Sequence, residues 1–142
     1  MRLKVAIRAD SSAIIGSGHL MRCLVLAERF RREKEAEVHF ISRDLAGNLH
    51  DKIKALGFAL HVLPRHLLDA SLEGYATWLT VPQDVDAEET RAALREIGKV
   101  DRLVVDSYAL DIVWERAMRP VADEIVVIDD LANRKHDCDV LL

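Results

Sequence analysis

The chain has 142 residues, of which 50% are hydrophobic and 31% are charged, and its formal net charge is −4. This length suits one domain with a sizeable core, and the composition is that of an ordinary soluble protein. The net charge is negative, and positive and negative residues are interspersed along the chain, which argues against a dedicated nucleic-acid surface. No apolar run approaches the length of a membrane span. Its two cysteines, Cys23 and Cys138, lack CxxC spacing and predict reduced thiols in a cytoplasmic protein.

A strand, a loop of small residues and a helix open the chain. Branched apolar residues predict a buried strand over 3–7 that ends near Arg8, and apolar residues at helical spacing predict a helix over 18–32. The loop between them then lies at the carboxyl edge of a strand, where open α/β sheets bind ligands. It brings seven polar or small residues to that edge: Asp10, Ser11, Ser12, Gly16, Ser17, Gly18 and His19.

This junction has the properties of a binding site for an anionic or oxygen-rich ligand. Gly16 and Gly18 let a ligand approach the backbone closely, and the helix start offers unpaired N–H groups and a positive dipole. His19 lies in the first helical turn, where that dipole disfavours the protonated form, so a neutral imidazole could accept a proton from water or a hydroxyl. The spacing alone equally allows a glycine-rich turn whose histidine caps the helix or packs.

Strand and helix patterns alternate in the next part of the chain. The expected elements are a strand over 38–42, a helix over 49–56 ended by Gly57, and a strand over 59–63 ended by Pro64. Together with the first strand and helix they form a β-α-β-α-β series, which implies parallel strands joined by right-handed crossovers. The sequence therefore predicts an α/β fold with a Rossmann-like parallel sheet and flanking helices.

An irregular segment over 65–81, which contains Tyr75 and Trp78, precedes the second half of the chain. It is either a functional loop or a surface excursion that exposes a few large side chains. The elements expected after it are a helix over 87–97 opened by Asp86, a strand over 103–105, a short helix capped by Asp111 and ended by Pro120, a strand over 124–128 and the start of another over 140–142.

Polar residues gather where the predicted strands end. In a parallel sheet these ends project toward one rim, so their side chains are expected to share it. For most of the acids among them we expect helix capping or hydrogen bonding within loops. The residues are Asp10, Arg43, Asp106, Tyr108, Asp129 and Asp130.

Several common types of site do not fit this sequence. A nicotinamide-binding turn needs G-x-G-x-x-G directly after the first strand, whereas this loop is longer and Met21 stands in the place of the third glycine. No Gly-Lys-Ser/Thr follows the loop, and no G-x-S-x-G nucleophile elbow occurs. The other histidines are scattered without the spacing of metal ligands, so no metal site is predicted.

Four segments carry a resemblance to a known family. They are RADSSAIIGSGHLMRCLVLAE at 8–28, Trp78-Leu79 followed by the acidic helix, VVDSYALD at 104–111, and IDDLANRKHDCDVLL at 128–142. The chain resembles the UDP-2,4-diacetamido-2,4,6-trideoxy-β-L-altropyranose hydrolases of pseudaminic acid biosynthesis. These nucleotide-sugar hydrolases are related to spore-coat polysaccharide proteins and to MurG-type glycosyltransferases.

The resemblance implies a two-domain glycosyltransferase-B-like fold, of which this chain is the amino-terminal half. A carboxyl-terminal, UDP-binding domain would lie beyond it. The implied reaction needs no metal or cofactor: water replaces UDP at the anomeric carbon of a UDP-sugar. His19 matches the family's catalytic histidine, and Tyr108 matches an active-site tyrosine.

Further residues near His19 are expected to bind the substrate, and they are Asp10, Ser12, Gly16, Gly18 and Arg22. For Asp10 the sequence leaves two roles open, orienting the imidazole or binding a sugar hydroxyl. The pathway implied by the resemblance is polysaccharide biosynthesis, including flagellin glycosylation.

Two alternatives to a hydrolase stay open from the sequence. A related glycosyltransferase would use the same histidine as base but pass the sugar to an acceptor hydroxyl. A non-catalytic binding half would work only with a separate partner chain. In the hydrolase interpretation, the 142 residues should fold alone but bind UDP poorly and be essentially inactive.

Overall fold

Six parallel strands form one sheet in the computed structural model, which describes residues 2–142. The strands are β1 (Lys4–Ala9), β2 (Glu37–Arg43), β3 (Ala59–Leu63), β4 (Val100–Asp106), β5 (Ala122–Val127) and β6 (Val140–Leu141). They lie in the order β3-β2-β1-β4-β5-β6, and every neighbouring pair is parallel. This order is that of a Rossmann-like sheet, which confirms the predicted fold class.

Helices cover both faces of the sheet. They are α1 (Gly18–Lys34), α2 (His50–Ala55), a 3₁₀ helix (Gly74–Leu79), α3 (Gln83–Ile97) and α4 (Ile112–Met118). The side chains of β1 alternate between the faces, since Val5 and Ile7 pack with α1 and α2 whereas Ala6 packs with α3 and α4. Within residues 2–142, no helix is both long enough and apolar enough to span a bilayer.

Most element boundaries agree with the turn and capping signals. β3 spans the predicted residues, and Gly57, with a φ of +81°, follows the end of α2 in the left-handed region that glycine favours. Asp111 caps α4, because its Oδ1 accepts a hydrogen bond from the backbone N–H of Val113 at 2.9 Å. The segment over 65–81 contains the 3₁₀ helix and is otherwise irregular.

The prediction for Asp86 is wrong. We expected it to open a helix at residue 87, but α3 begins at Gln83 and Pro82 is the residue that precedes it. Asp86 lies within the helix and is fully buried, where two arginine side chains compensate its charge. An acid before an apolar helical pattern resembles a cap in the sequence, but here its partners come from distant strands.

The carboxyl ends of the central strands meet at one edge of the sheet. In the register of β1 and β4, Ala9 lies opposite Asp106, and in that of β1 and β2, Arg8 lies opposite Ile41. The chain leaves β1 at this edge and enters α1 nine residues later, at Gly18. The glycine-containing loop and the start of α1 therefore lie at the same edge as the end of β4.

Candidate active site

A histidine–aspartate pair joins the start of α1 to the end of β4. Nδ1 of His19 lies 2.6 Å from Oδ1 of Asp106. An ionised carboxylate can only accept a hydrogen bond, so we assign the ring proton of a neutral imidazole to Nδ1, which leaves Nε2 as an acceptor. No residue among 2–142 hydrogen-bonds to Nε2, and 10% of the side chain is exposed. The pair thus has the geometry of an oriented general base.

Arg22, one helical turn after His19, holds the same carboxylate with two hydrogen bonds. Its Nε donates to Oδ2 of Asp106 at 2.5 Å and its Nη2 donates to Oδ1 at 2.7 Å. Burial of the Asp106 carboxyl opposes ionisation, but the hydrogen bonds from Arg22 and His19 outweigh this effect and lower its pKa. Asp106 is therefore ionised at neutral pH and can stabilise a protonated His19.

Tyr108 lies beside this pair, as the sequence predicted for a residue of the same rim. Its ring meets the His19 ring edge-on, with centroids 4.5 Å apart. Its hydroxyl donates to Oδ2 of Asp130 at 2.7 Å, and this bond raises the pKa of Tyr108. Asp130 also pairs with Arg22 at 2.8 Å, so one network of hydrogen bonds joins Tyr108 to Asp106.

The 3₁₀ helix adds two aromatic side chains that the sequence did not assign to the site. Trp78 lies with its ring centroid 5.9 Å from that of His19 and stacks on Tyr108 at 5.7 Å. Tyr75 contacts both Trp78, at 4.9 Å, and Tyr108, at 5.2 Å. The irregularity of the segment and its large side chains were the available signals, and they could not show which rim the segment reaches.

The loop after β1 is shaped by Ser12. The Oγ atom of Ser12 accepts from the backbone N–H of Ile15 at 2.9 Å, and its carbonyl accepts from that of Gly16 at 2.8 Å. Gly16 has a φ of +83°, a conformation that other residues rarely adopt. A methyl group added at Gly16 or at Gly18 would meet no atom within 4 Å, so the backbone borders open space there.

Asp10 takes part in a different network from His19. Its Oδ1 accepts from Nη1 of Arg8 at 2.5 Å and from the backbone N–H of Arg43 at 2.8 Å. Two roles were considered for Asp10, and the first was to orient the imidazole of His19. Asp106 is the residue in contact with that ring, so Asp10 does not have this role. Its role in binding a sugar hydroxyl stays a prediction.

Two arginines and Asp86 form a buried cluster below Asp10. Nη2 of Arg8 and Nη2 of Arg43 donate to Oδ2 of Asp86 at 2.6 Å and 2.8 Å, and Nε1 of Trp114 donates to Oδ1 at 2.9 Å. Burial opposes ionisation of Asp86, but the two arginines lower its pKa to about 2. Arg43, predicted at the rim, points into this cluster; its Nε is a buried polar atom without a partner among residues 2–142.

Asp129 holds the loop that follows β5, in agreement with a loop-bonding role for most of the acids. His136 is clamped between two carboxylates, with Nε2 2.8 Å from Asp129 and Nδ1 2.7 Å from the fully buried Glu115. Burial lowers the pKa of His136, but the hydrogen bonds to Glu115 and Asp129 outweigh it and raise the pKa. The clamp fixes the segment that presents Asp130 to Tyr108.

Among residues 2–142, no group of three or more His, Cys, Asp or Glu side chains has the arrangement to hold a metal ion. Cys23 and Cys138 are free thiols. Cys23 is buried beneath Asp106, and burial raises the pKa of its thiol.

Comparison with known proteins supports the resemblance found in the motifs. No protein-family model matches the chain. The chain is 26% identical over 140 residues to UDP-2,4-diacetamido-2,4,6-trideoxy-beta-L-altropyranose hydrolase of Campylobacter jejuni subsp. jejuni serotype O:2. The match covers 99% of the chain and 41% of the relative, so the chain spans less than half of that protein's length. The predicted similarity to a UDP-sugar hydrolase is therefore confirmed.

Proposed function

We propose that this chain carries the catalytic histidine of a nucleotide-sugar hydrolase that releases UDP from a UDP-linked 2,4-diacetamido-2,4,6-trideoxyhexose. The observation that carries the proposal is the state of His19, with Nδ1 bound by Asp106 and Nε2 free at the carboxyl edge of the sheet. The name of the Campylobacter jejuni relative supports the choice of substrate.

In the proposed reaction, a water oxygen bonds to the anomeric carbon while the bond from that carbon to the phosphate oxygen breaks. The water proton passes to Nε2 of His19, and UDP leaves with the bonding electrons. Asp106 stabilises the imidazolium that forms, since its carboxylate is ionised and bound to Nδ1. A diphosphate is a good leaving group and needs little protonation, so one base suffices.

Other residues around His19 would position the substrate. The open backbone at Gly16 and Gly18, next to the start of α1, suits the negatively charged diphosphate. We assign sugar contacts to Tyr108, Asp10 and Ser12, and an electrostatic role to Arg22. The reaction would serve pseudaminic acid biosynthesis and the glycosylation of flagellin, with neither metal nor cofactor.

A second, UDP-binding domain of a glycosyltransferase-B-like fold would supply the remaining wall of the site. Positioning of reactants accounts for roughly 7 kcal/mol or more of barrier in favourable cases. We therefore expect the 142-residue chain to be folded, to bind UDP weakly and to turn over very slowly. Calorimetry with UDP and a product assay test this, and tight UDP binding would contradict it.

Isotope labelling of the product tests the reaction itself. The complete gene product that includes this chain is incubated with the UDP-sugar in ¹⁸O-labelled water. We expect the label in the anomeric hydroxyl of the sugar and none in UDP, because the carbon–oxygen bond breaks. Label in the UDP phosphate would exclude attack at the anomeric carbon.

The variant His19→Asn should lower turnover roughly 100-fold or more, as expected for the loss of a general base. His39→Asn is the matched control, because His39 is a half-buried histidine of β2 that pairs with Glu37 and His61 away from the site. Near-normal turnover of folded His19→Asn would refute the assignment. Turnover only with an added acceptor would show a glycosyltransferase, and no turnover in either condition would favour a binding role.

A further inference from the structure

Asp130 is an exposed acid whose hydrogen-bond partners both belong to the candidate site. Its Oδ2 accepts from the Tyr108 hydroxyl at 2.7 Å and lies 2.8 Å from Nη1 of Arg22, and its Oδ1 accepts from the same nitrogen at 3.0 Å. The sequence suggested capping or loop bonding for most acids at strand ends, and Asp129 bonds within its own loop in this way. Asp130 instead reaches across to α1 and to the residues after β4.

Arg22 donates from every nitrogen of its guanidinium to one of two carboxylates. Nε and Nη2 donate to Asp106, and Nη1 donates to Asp130. The hydrogen bonds to Asp106 and Asp130 outweigh burial and raise the pKa of Arg22, so the guanidinium stays charged. The hydrogen bonds from Tyr108 and Arg22 lower the pKa of Asp130, which is therefore ionised at neutral pH. Two negative charges thus flank one positive charge.

The guanidinium of Arg22 lies close enough to His19 to oppose its protonation. Nη2 of Arg22 is 3.5 Å from Nδ1 of the ring, and a nearby cation disfavours the charged form of an imidazole. Arg22 also binds both oxygens of Asp106, the carboxylate that would stabilise the imidazolium. A second acid that binds Arg22 offsets both effects, because it compensates the charge of the guanidinium.

The charges of the site are compensated when His19 takes up a proton. With a neutral ring, Asp106, Asp130 and Arg22 leave one negative charge uncompensated. With a proton on Nε2, the two carboxylates face two cations. Without Asp130, a single carboxylate would face both cations, and the imidazolium would be less stable.

The other side chains around the ring do not supply this charge. On α1, burial raises the pKa of the Cys23 thiol, and after β4 the bond to Asp130 raises the pKa of Tyr108, so both stay protonated at neutral pH. Trp78 of the 3₁₀ helix does not titrate. After β1, Asp10 is paired with Arg8 at 2.5 Å. The charged groups of the site are therefore those of Arg22, Asp106 and Asp130.

We propose that Asp130 is a positioning residue of the reaction, which holds Arg22 and Tyr108 beside His19 and compensates the charge of Arg22 so that Asp106 can stabilise the imidazolium. The inference rests on the proposed function, in which His19 is the base, and it adds a second acid to the histidine–aspartate pair. Asp130 acts through its neighbours, because its hydrogen bonds go to Arg22 and Tyr108.

The variant Asp130→Asn separates the charge of this residue from its shape. Asn has the same size and keeps one oxygen that can accept from Tyr108 or Arg22, but it carries no charge. The proton on His19 should then be held less strongly, so the neutral ring persists to lower pH. A weaker base also makes proton transfer from water slower.

NMR titration of the 142-residue chain measures the charge effect without catalysis. The ring signals of His19, identified by their loss in His19→Asn, are followed from about pH 4 to pH 9, a range that spans the usual histidine transition. We expect the midpoint to fall by roughly half a pH unit or more in Asp130→Asn and to return toward the wild type in Asp130→Glu, which restores the charge.

The matched control for the titration is Asp123→Asn. Asp123 is an exposed acid at the start of β5 that pairs with Lys99 at 3.0 Å, and β5 begins at the opposite edge of the sheet from the site. This variant should leave the His19 midpoint in place. An unchanged midpoint in Asp130→Asn, or an equal shift in the control, would overturn the inference.

Kinetics of the complete gene product test the same residue in the reaction. In Asp130→Asn we expect kcat to fall by roughly threefold or more with little change in KM, and the acidic limb of the pH–rate profile to move to lower pH. Asp130→Glu should recover both. A fall in kcat that is equal in the Asn and Glu variants, with the limb in its wild-type place, would mean that Asp130 only supports the fold.

The two experiments separate this inference from the proposed function. A shifted His19 midpoint without any hydrolysis by the complete gene product would remove the hydrolase and leave the effect of Asp130 on the ring. Hydrolysis that requires His19, with an unchanged midpoint in Asp130→Asn, would remove the inference and leave the hydrolase.

Discussion

Two ionic clusters lie at the carboxyl edge of the same sheet, one closed to solvent and the other open to it. In the closed cluster, Asp86 accepts hydrogen bonds from Arg8 and Arg43 at 2.6 Å and 2.8 Å, and all three side chains are fully buried. In the open cluster, Asp106 is bound by His19 and by Arg22, and 35% of the Arg22 side chain is exposed.

The difference between the clusters lies in which atoms stay free. Both oxygens of Asp86 are used by partners from two strands and two helices, so neither oxygen is left for a ligand. The open cluster uses both oxygens of Asp106 as well, but it leaves Nε2 of His19 without a partner among residues 2–142. A buried acid whose two oxygens are both bound therefore suits a structural role, whereas an oriented ring with one free nitrogen suits proton transfer.

Removal of the central acid of the closed cluster should have the largest effect. In Asp86→Ala, two buried guanidinium groups lose their shared partner, which is expected to lower the free energy of unfolding by about 3–5 kcal/mol. Urea denaturation measures this, with Asp84→Ala, an exposed acid of the same helix, as the control. A loss as small as that of the control would show that the cluster contributes little stability.

Asp106→Asn should act on turnover more than on folding. An Asn side chain that donates to Nδ1 would favour the opposite tautomer, in which Nε2 carries the proton and cannot act as a base. We expect turnover of the complete gene product to fall roughly 100-fold, or about 2.7 kcal/mol in the barrier. The measurement is kcat per folded molecule, and an unchanged kcat would contradict the role of the pair.

Tyr108→Phe should have a smaller effect, confined to the open cluster. The variant loses the hydrogen bond to Asp130 but keeps the ring beside His19, so turnover should fall by roughly tenfold, or 1.4 kcal/mol. The melting temperature should stay nearly unchanged because the bond is at the surface. Tyr75→Phe is the control; a large loss of stability with normal activity per folded molecule would make Tyr108 a packing residue.

The smallest expected effect is a pH dependence of the unfolding free energy that comes from His136. This histidine binds Asp129 and so supports the segment that carries Asp130 of the open cluster. The pKa of His136 is raised in the folded state, so its contribution to stability is complete below the unfolded value of about 6.5 and is lost as pH rises through the folded value. Each tenfold gain in proton affinity on folding is worth about 1.4 kcal/mol. Unfolding free energies measured from pH 6 to 9 should fall in the wild type and change less in His136→Gln. If the unfolding free energies of the two proteins fall equally with pH, His136 does not stabilise the fold through its two carboxylate partners.

The sequence predicted the sheet better than it predicted the contacts of the site. Apolar strands and glycine stops are local signals, and they located β3 and the start of α1 correctly. His19 is a candidate from the sequence because it follows Gly16 and Gly18 at a helix start, and its role in catalysis stays a prediction. Its partner Asp106 was only one of several acids at strand ends. The sequences of β1 and β4 do not reveal that these strands pair or in which register, so they could not show which acid lies beside His19.

Two other features depended on long-range packing and were not predictable. Asp86 lies in a helical pattern that resembles a capped start, and only the arginines of two strands explain its burial. Trp78 lies in a segment without clear periodicity, so nothing local indicated that it would reach the imidazole.

The pairing of β1 with β4 also has a consequence for when the candidate site forms during folding. His19 and Asp106 are 87 residues apart in sequence, and they meet only when β4 has docked beside β1. Closing so long a loop is costly in chain entropy and belongs to the slow, non-local part of folding. During synthesis on the ribosome, the histidine therefore has no partner until β4 has emerged and paired. A nascent or partly folded chain therefore holds His19 without the carboxylate that orients its ring, so the candidate site forms only when the centre of the sheet does.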